Sequence, residues 1–145
     1  MTMIRDPAAD QAVREVVARR AQAVSAKDAA AAAACTAPDF VQYSLAPPLE
    51  IADGVKALSA WFETWDGPIG YEIHDLKVTA GQDIAFAHGL VHLTGRRLDG
   101  EEADLWFRQT LGLRRLGDAW KLNHEHDSVP FYMDGSLRAA VDLSP

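Results

Sequence analysis

The run Trp120-Lys121-Leu122-Asn123-His124-Glu125-His126-Asp127-Ser128-Val129-Pro130-Phe131 decides how the rest of the chain is read. Side chains on a strand alternate between faces. Regular alternation therefore puts Trp120, Leu122, His124 and His126 on one side, and Lys121, Asn123, Glu125 and Asp127 on the other. One face is then apolar and ends in two imidazoles. Imidazole titrates near neutral pH and needs a hydrogen-bond partner when buried, so the pattern suits a strand lining a pocket better than one filling a core.

Working outward, the pattern has period two from Gly67-Pro68 to Pro130, and four strands fit, at about 71–79, 84–98, 101–116 and 119–129. Asp99-Gly100 and Gly117-Asp118 mark tight hairpins. Read as two-residue loops, they set the register. The first places His92 opposite Phe107, Leu90 opposite Gln109 and His88 opposite Leu111. The second places Leu113 opposite Leu122, Leu111 opposite His124 and Gln109 opposite His126. One face then carries Phe86, His88, Leu90, His92, Phe107, Gln109, Leu111, Leu113, Trp120, Leu122, His124 and His126. The other carries Val91, Trp106, Arg108, Glu125 and Asp127, with Arg108 opposite Asp127 as a cross-strand ion pair. The turn around Ala80-Gly81-Gln82-Asp83 holds four or five residues. Five is preferred, because it turns Leu76 and Val78 inward, brings His74 towards His88 and keeps Lys77 out of the core.

Upstream the spacing is helical. Asp6-Pro7 is an N-cap and first-turn pair, and Val13, Val16, Val17 and Val24 recur on one face to about Ser25. Asp28 caps a short alanine-rich helix that ends before Pro38. Phe40-Val41-Gln42-Tyr43 reads as a strand broken by Ala46-Pro47-Pro48. Asp53 caps a third helix whose stripe is Val55, Leu58, Phe62 and Trp65, with Trp61 beside it.

Length and charge bound the partners. At 145 residues the chain, 1–145, reads as a single domain, and 48% hydrophobic residues suffice for a sizeable core. A net charge of -7, with basic residues only in isolated doublets, argues against nucleic acid as a partner. Cys35 is the sole cysteine, which excludes an internal disulfide. Met1 to Asp10 lacks the apolar core of a signal peptide and no run reaches the length of a membrane span, so a cytoplasmic protein without membrane contact is expected.

Lys27-Asp28, Pro38-Asp39-Phe40, Trp61-Phe62, Arg108-Gln109-Thr110 and Trp120 through Pro130 together resemble the SnoaL-like branch of the nuclear transport factor 2-like superfamily, over nearly the whole chain. The resemblance implies an α+β fold: a cone-shaped, curved antiparallel sheet wrapped around three N-terminal helices, with a pocket at the wide end. It also implies a homodimer packed through the sheets. Relatives include polyketide cyclases, steroid isomerases, scytalone dehydratase and domains used only for binding or assembly. In this chain the isomerases' catalytic aspartate aligns with Ser44 and their oxyanion-holding tyrosine with Arg20. That isomerase mechanism is therefore not carried over.

On the strand register above, His88 and His124 lie two strands apart, about 10 Å between backbones, a gap suited to a small planar substrate. One imidazole could abstract a proton next to a carbonyl while the other, or Gln109, stabilises the oxyanion. The expected catalytic set is therefore His88, His124 and Gln109. His126, Tyr43, Trp61, Trp65, Phe86, Phe107 and Leu111 are expected to bind substrate. His124 and His126 are spaced to share a metal ion with Gln109, but no acidic side chain is placed inward beside them, so neither metal nor cofactor is expected. The expected activity is cofactor-free isomerisation, cyclisation or dehydration of a small, mostly apolar or polycyclic carbonyl compound. A ligand-binding or assembly domain without turnover is the alternative. The tail from Phe131 to Leu143 either closes the cone mouth or crosses to a partner subunit.

Overall fold

Helix α1, Pro7–Ser25, starts where the Asp6 side chain accepts the amides of Ala8 and Ala9, with Pro7 in the first turn. Its buried stripe is Val13, Val16, Val17 and Val24, with Arg20 set in the middle of it. The structure, a computed structural model, describes residues 6–145; the Met1–Arg5 part of the charged amino-terminal stretch lies outside the described residues. Asp28 caps the short helix α2, Ala29–Ala33, and Asp53 caps α3, Gly54–Phe62. Between them runs β1, Thr36–Tyr43. Four longer strands follow: β2 (Trp65–Ala80), β3 (Ile84–Arg97), β4 (Glu102–Leu116) and β5 (Ala119–Ser128). Trp65 thus opens β2 rather than extending the α3 stripe, and Val55 is exposed.

The five strands form one curved sheet in the order β1-β5-β4-β3-β2, antiparallel from β5 to β2, with β1 parallel to β5. The fold is α+β. Helix α1 packs against β2 and β5 across the concave side, where Val13, Val17, Leu111, Leu113, Trp120 and Leu122 make the tightest core. Burying each such aliphatic side chain contributes about 1.5–3 kcal/mol. A second cluster, built on Val24, Phe62, Trp65, Val91, Leu93 and Phe107, lies further along the same side.

The register departs from regular alternation at several points. The β3–β4 turn contains three residues, Leu98, Asp99 and Gly100: Arg97 N donates to Glu101 O, and Gly100 takes φ +90. That one-residue shift pairs Val91 with Phe107 and His88 with Thr110, so Ala85, Ala87, Val91 and Leu93 face inward while Phe86, His88, Leu90 and His92 face outward. The Gly117-Asp118 turn is a two-residue loop, and Leu113 pairs with Leu122 as expected. Beyond it, β5 bulges: Gly112 pairs with His124, leaving Asn123 as an extra residue. Past the bulge the alternation is inverted. Glu125 and Asp127 are buried, and Arg108 pairs with Ser128 instead of Asp127.

The β2–β3 turn covers Gly81 to Ile84, so neither expected register holds; Lys77, not His74, lies opposite His88. Val78 is nevertheless buried and Leu76 partly so, because the altered turn register and the exchanged faces of β3 cancel: Val78 pairs with inward-facing Ala87, and a second bulge, at Asp75 (φ 57), comes only beyond it. The tail folds back on itself. Phe131 bridges Ala139, and the Tyr132 hydroxyl donates to Asp142.

Candidate functional site: a cavity with a carboxyl pair

The inward residues that are not consumed by the core enclose a cavity of about 830 Å³. Its walls are largely apolar, with Val24, Leu58, Trp61, Trp65, Leu93, Leu105 and Phe107 among them, and the segment Ser44–Pro48 flanks it. At one end Arg20, Gln42, Tyr71, Glu125 and Asp127 converge. Few polar groups in an otherwise apolar hollow is the usual composition of a small-molecule site.

The polar end is built by register. Arg20 is 6% exposed because it occupies the apolar stripe of α1, and its guanidinium donates to Glu125 Oε1. Gln42, on the inward side of β1, donates to Glu125 Oε2 at 2.7 Å and to Asp127 Oδ2 at 3.5 Å. Gln109 donates to Asp127 Oδ1 at 3.1 Å and to the Tyr71 hydroxyl at 2.7 Å. Because the Tyr71 oxygen accepts from Gln109, its own proton is free to point into the cavity.

Electrostatics then separates the two carboxyls. Burial disfavours ionised Glu125, but Arg20 and the hydrogen bonds from Asp127, Gln42 and Arg20 outweigh it and hold Glu125 below its ordinary value. Asp127 goes the other way. Burial first, then the negative charge and hydrogen bond of Glu125, push it well above the usual carboxylate range, against Gln109 and Arg20. Burial and the two carboxylates likewise push Tyr71 well up. Burial also works against the Arg20 charge, and Glu125, Tyr71 and Asp127 more than restore it. The cluster therefore favours charge on Arg20 and Glu125 and the protonated forms of Asp127 and Tyr71. Two adjacent carboxyls with opposed environments are the arrangement that lets one act as an acid near neutral pH.

Of the residues expected at a site, Trp61, Trp65 and Phe107 line the cavity, and Gln109 lies behind it in contact with Tyr71 and Asp127. Leu111 is buried in the α1 core instead. His88, His124, His126, Tyr43 and Phe86 are not brought in. His88 is exposed beside Phe86, which is 50% exposed, on the outer surface. His124 bonds Val41 O through Nδ1 at 2.8 Å, and its ring meets Tyr43 edge-on at 4.7 Å, with Tyr43 also against His126. A metal site shared by His124, His126 and Gln109 is ruled out, since Gln109 faces the opposite side of the sheet. The cause is the pair of one-residue shifts described above. Arg20, Gln42, Tyr71, Glu125 and Asp127 were missed; their available signal was Arg20, a charge at the helical spacing of Val13, Val16, Val17 and Val24 that requires a buried counterion.

A curved sheet cupping an N-terminal helix around a polar-ended apolar hollow defines a class of small pocket-bearing α+β domains. Residues 13–132 match the SnoaL-like domain family, and the chain belongs to that family. No curated protein matches the sequence. Among solved structures, an NTF2-like protein of unknown function from Pseudomonas putida KT2440 is 30% identical, with a TM-score of 0.89 over 98% of this chain and 100% of that one. A proposed dehydratase of the NTF2-like family from Streptomyces avermitilis is 16% identical, with a TM-score of 0.74 over 85% of this chain and 97% of its own. The association domain of CaMKII from C. elegans is 18% identical, with a TM-score of 0.65 over 83% and 95%. At the last two identities the likeness concerns the fold alone. No helix among the described residues is long and apolar enough to cross a membrane.

Proposed function

We propose that residues 1–145 act as one domain that binds a small, mostly apolar carbonyl-type molecule in the cavity and transforms it by acid–base chemistry without a cofactor. The observation that carries this is the buried Glu125–Asp127 pair at the end of an apolar hollow, where burial and Glu125 push Asp127 towards its protonated form. Asp127 gives its proton to an oxygen of the ligand, and the carboxylate so formed takes a proton back from a neighbouring carbon. Tyr71 donates a hydrogen bond to the same oxygen and holds it in place for the transfer, and Glu125, paired with Arg20, tunes Asp127. Isomerisation, cyclisation and dehydration all fit this sequence of transfers. The histidines proposed from sequence as the acid–base pair give way to these carboxyls.

Deuterium uptake next to the carbonyl of 2-tetralone, followed by NMR in D2O, tests the reading. Wild-type protein should accelerate uptake, and Asp127→Asn should remove about 10²- to 10⁴-fold of that rate. Equal rates for wild type and D127N would sink it.

The alternative is a ligand-binding or association domain without turnover, favoured by the likeness to the CaMKII association domain and by the exposed aromatic surface of the sheet. A homodimer in the cytoplasm, packed through that surface around Trp106, goes with either reading. Light scattering of a Phe86→Glu/Trp106→Glu variant should then report a monomer.

A further inference from the structure

We infer that the ligand of this cavity is an organic anion, with its charged group held by Arg97 at the end of the cavity away from Asp127. The inference rests on the cavity being the ligand site. Arg97 pairs with Trp65 across β3 and β2, and directly opposite residues share a face. Trp65 is 3% exposed and lines the cavity, so Arg97 belongs to the concave side, in the alternate series Val91, Leu93, Gly95, Arg97. Its neighbour Arg96 points the other way and meets Asp66 at 4.0 Å.

Arg97 is exposed at the rim of the cavity, but its side chain is held in place there. Its guanidinium lies over the Trp65 ring, 5.7 Å from the centroid. The indole is drawn up to that spot because position 95 is glycine; a Cβ there would stand 2.8 Å from Trp65 Cζ3. Arg97 nevertheless has no carboxylate within 4.0 Å among the described residues, nor does Lys56, which lines the same cavity. None of the acids on the lining forms a salt bridge with Arg97. Glu125 is paired with Arg20, Asp53 accepts the Lys56 amide at 3.1 Å, Asp127 is in the opposite cluster, and Glu50 lies exposed on the loop after β1.

The spacing sets the ligand's length. Tyr71 pairs with Leu93, and Arg97 lies four residues further along β3, about 13 Å of strand. Between these ends the wall is Leu93, Leu105, Phe107 and Trp61. A bicyclic or similarly sized apolar body fits this span, with an oxygen function at the Asp127–Tyr71 end and a carboxylate or sulfonate at the Arg97 end.

The probes are 8-anilinonaphthalene-1-sulfonate and N-phenyl-1-naphthylamine, which share a skeleton and differ by the charge. Fluorescence titration of the wild-type chain should show the anionic dye binding more tightly. Arg97→Gln should weaken the anionic dye about tenfold and leave the neutral one within about twofold. Ala103→Trp, which fills the cavity, should abolish both. Should R97Q fold poorly, wild-type protein gives the same discrimination: raising NaCl from about 20 mM to about 0.5 M weakens only the anionic dye. Unchanged anionic-dye affinity in R97Q, or equal loss of both dyes, overturns the anion inference alone. Failure of either dye to bind, or binding that survives A103W, overturns the cavity as the ligand site as well.

Discussion

The two faces of the sheet hold different ionisable chemistry under different solvation. All five histidines lie on the outer side. There His92 stacks on Trp106 with ring centroids 4.4 Å apart and bonds Asp104 at 2.7 Å, and His74 packs on the same indole at 4.9 Å. The polar end of the concave side gathers Arg20, two carboxyls and a phenol; burial acts first on each, pushing Asp127 and Tyr71 well up, while Arg20 and Glu125 offset it for one another. The lesson is that residue type alone does not nominate a catalytic group. Imidazoles near water are solvated side chains, and a carboxyl among apolar walls becomes an acid that works near neutral pH.

The widest gap between the faces should appear in stability. Arg20→Leu leaves Glu125 buried without its counterion, and urea denaturation should show a loss of about 3–5 kcal/mol. Arg20→Leu/Glu125→Leu should recover most of it, because the pair, not the arginine, is what burial tolerates. A single-variant loss below about 1 kcal/mol would show that the ion pair is not buried.

Next comes pH. The folded-state pKa of Asp127 is raised, so the folded protein binds its proton more tightly than the unfolded chain. The stability this contributes is complete below the ordinary aspartate value of about 3.9 and is lost as pH rises through the raised value. Wild-type stability should therefore fall relative to D127N across that window, by up to about 1.4 kcal/mol per pH unit. Glu125 acts in the opposite sense: with its pKa held down, its contribution is present above about 4.3 and disappears as the solution is made more acid. Parallel stability curves for wild type and D127N would erase the distinction between the two carboxyls.

A smaller effect sharpens the structural side. Deleting Asn123 removes the bulge yet leaves Leu122, Glu125 and Asp127 on one face, so the shortened chain should fold, at a cost of about 1–2 kcal/mol, and still bind dye in the cavity. Loss of binding with a folded chain would mean that the bulge does not set which side chains face in. The least change belongs to the outer side: His88→Gln should stay within about 0.5 kcal/mol of wild type and leave deuterium uptake untouched.

Much of the architecture is legible in the sequence because its signals are local. Asp6-Pro7, Asp28 and Asp53 cap the three helices, Gly117-Asp118 turns in two residues, and the inward set Phe107, Gln109, Leu111 and Leu113 on β4 is as expected. The site was not legible because it hangs on parity. Asp99-Gly100 looks the same in a two-residue and a three-residue loop, yet including Leu98 exchanges the faces of β3. Asn123 gives no sign of its bulge. Its structural partner, Gly112, does: a Cβ there would meet Asn123 Oδ1 at 3.1 Å and His124 Cβ at 3.3 Å. Arg20 carried the long-range clue, since a guanidinium in a valine stripe must be answered by an acid from elsewhere.

The bulge at Asn123 also means that β5 encodes two alternative linings, one of imidazoles and one of carboxyls, interleaved in a single strand. The lining displayed is the carboxyl one, and it meets its counterion 105 positions upstream, at Arg20. A variant in which Asn123 rejoined the regular alternation would therefore change the chemistry of the lining without replacing any side chain in the strand that performs it.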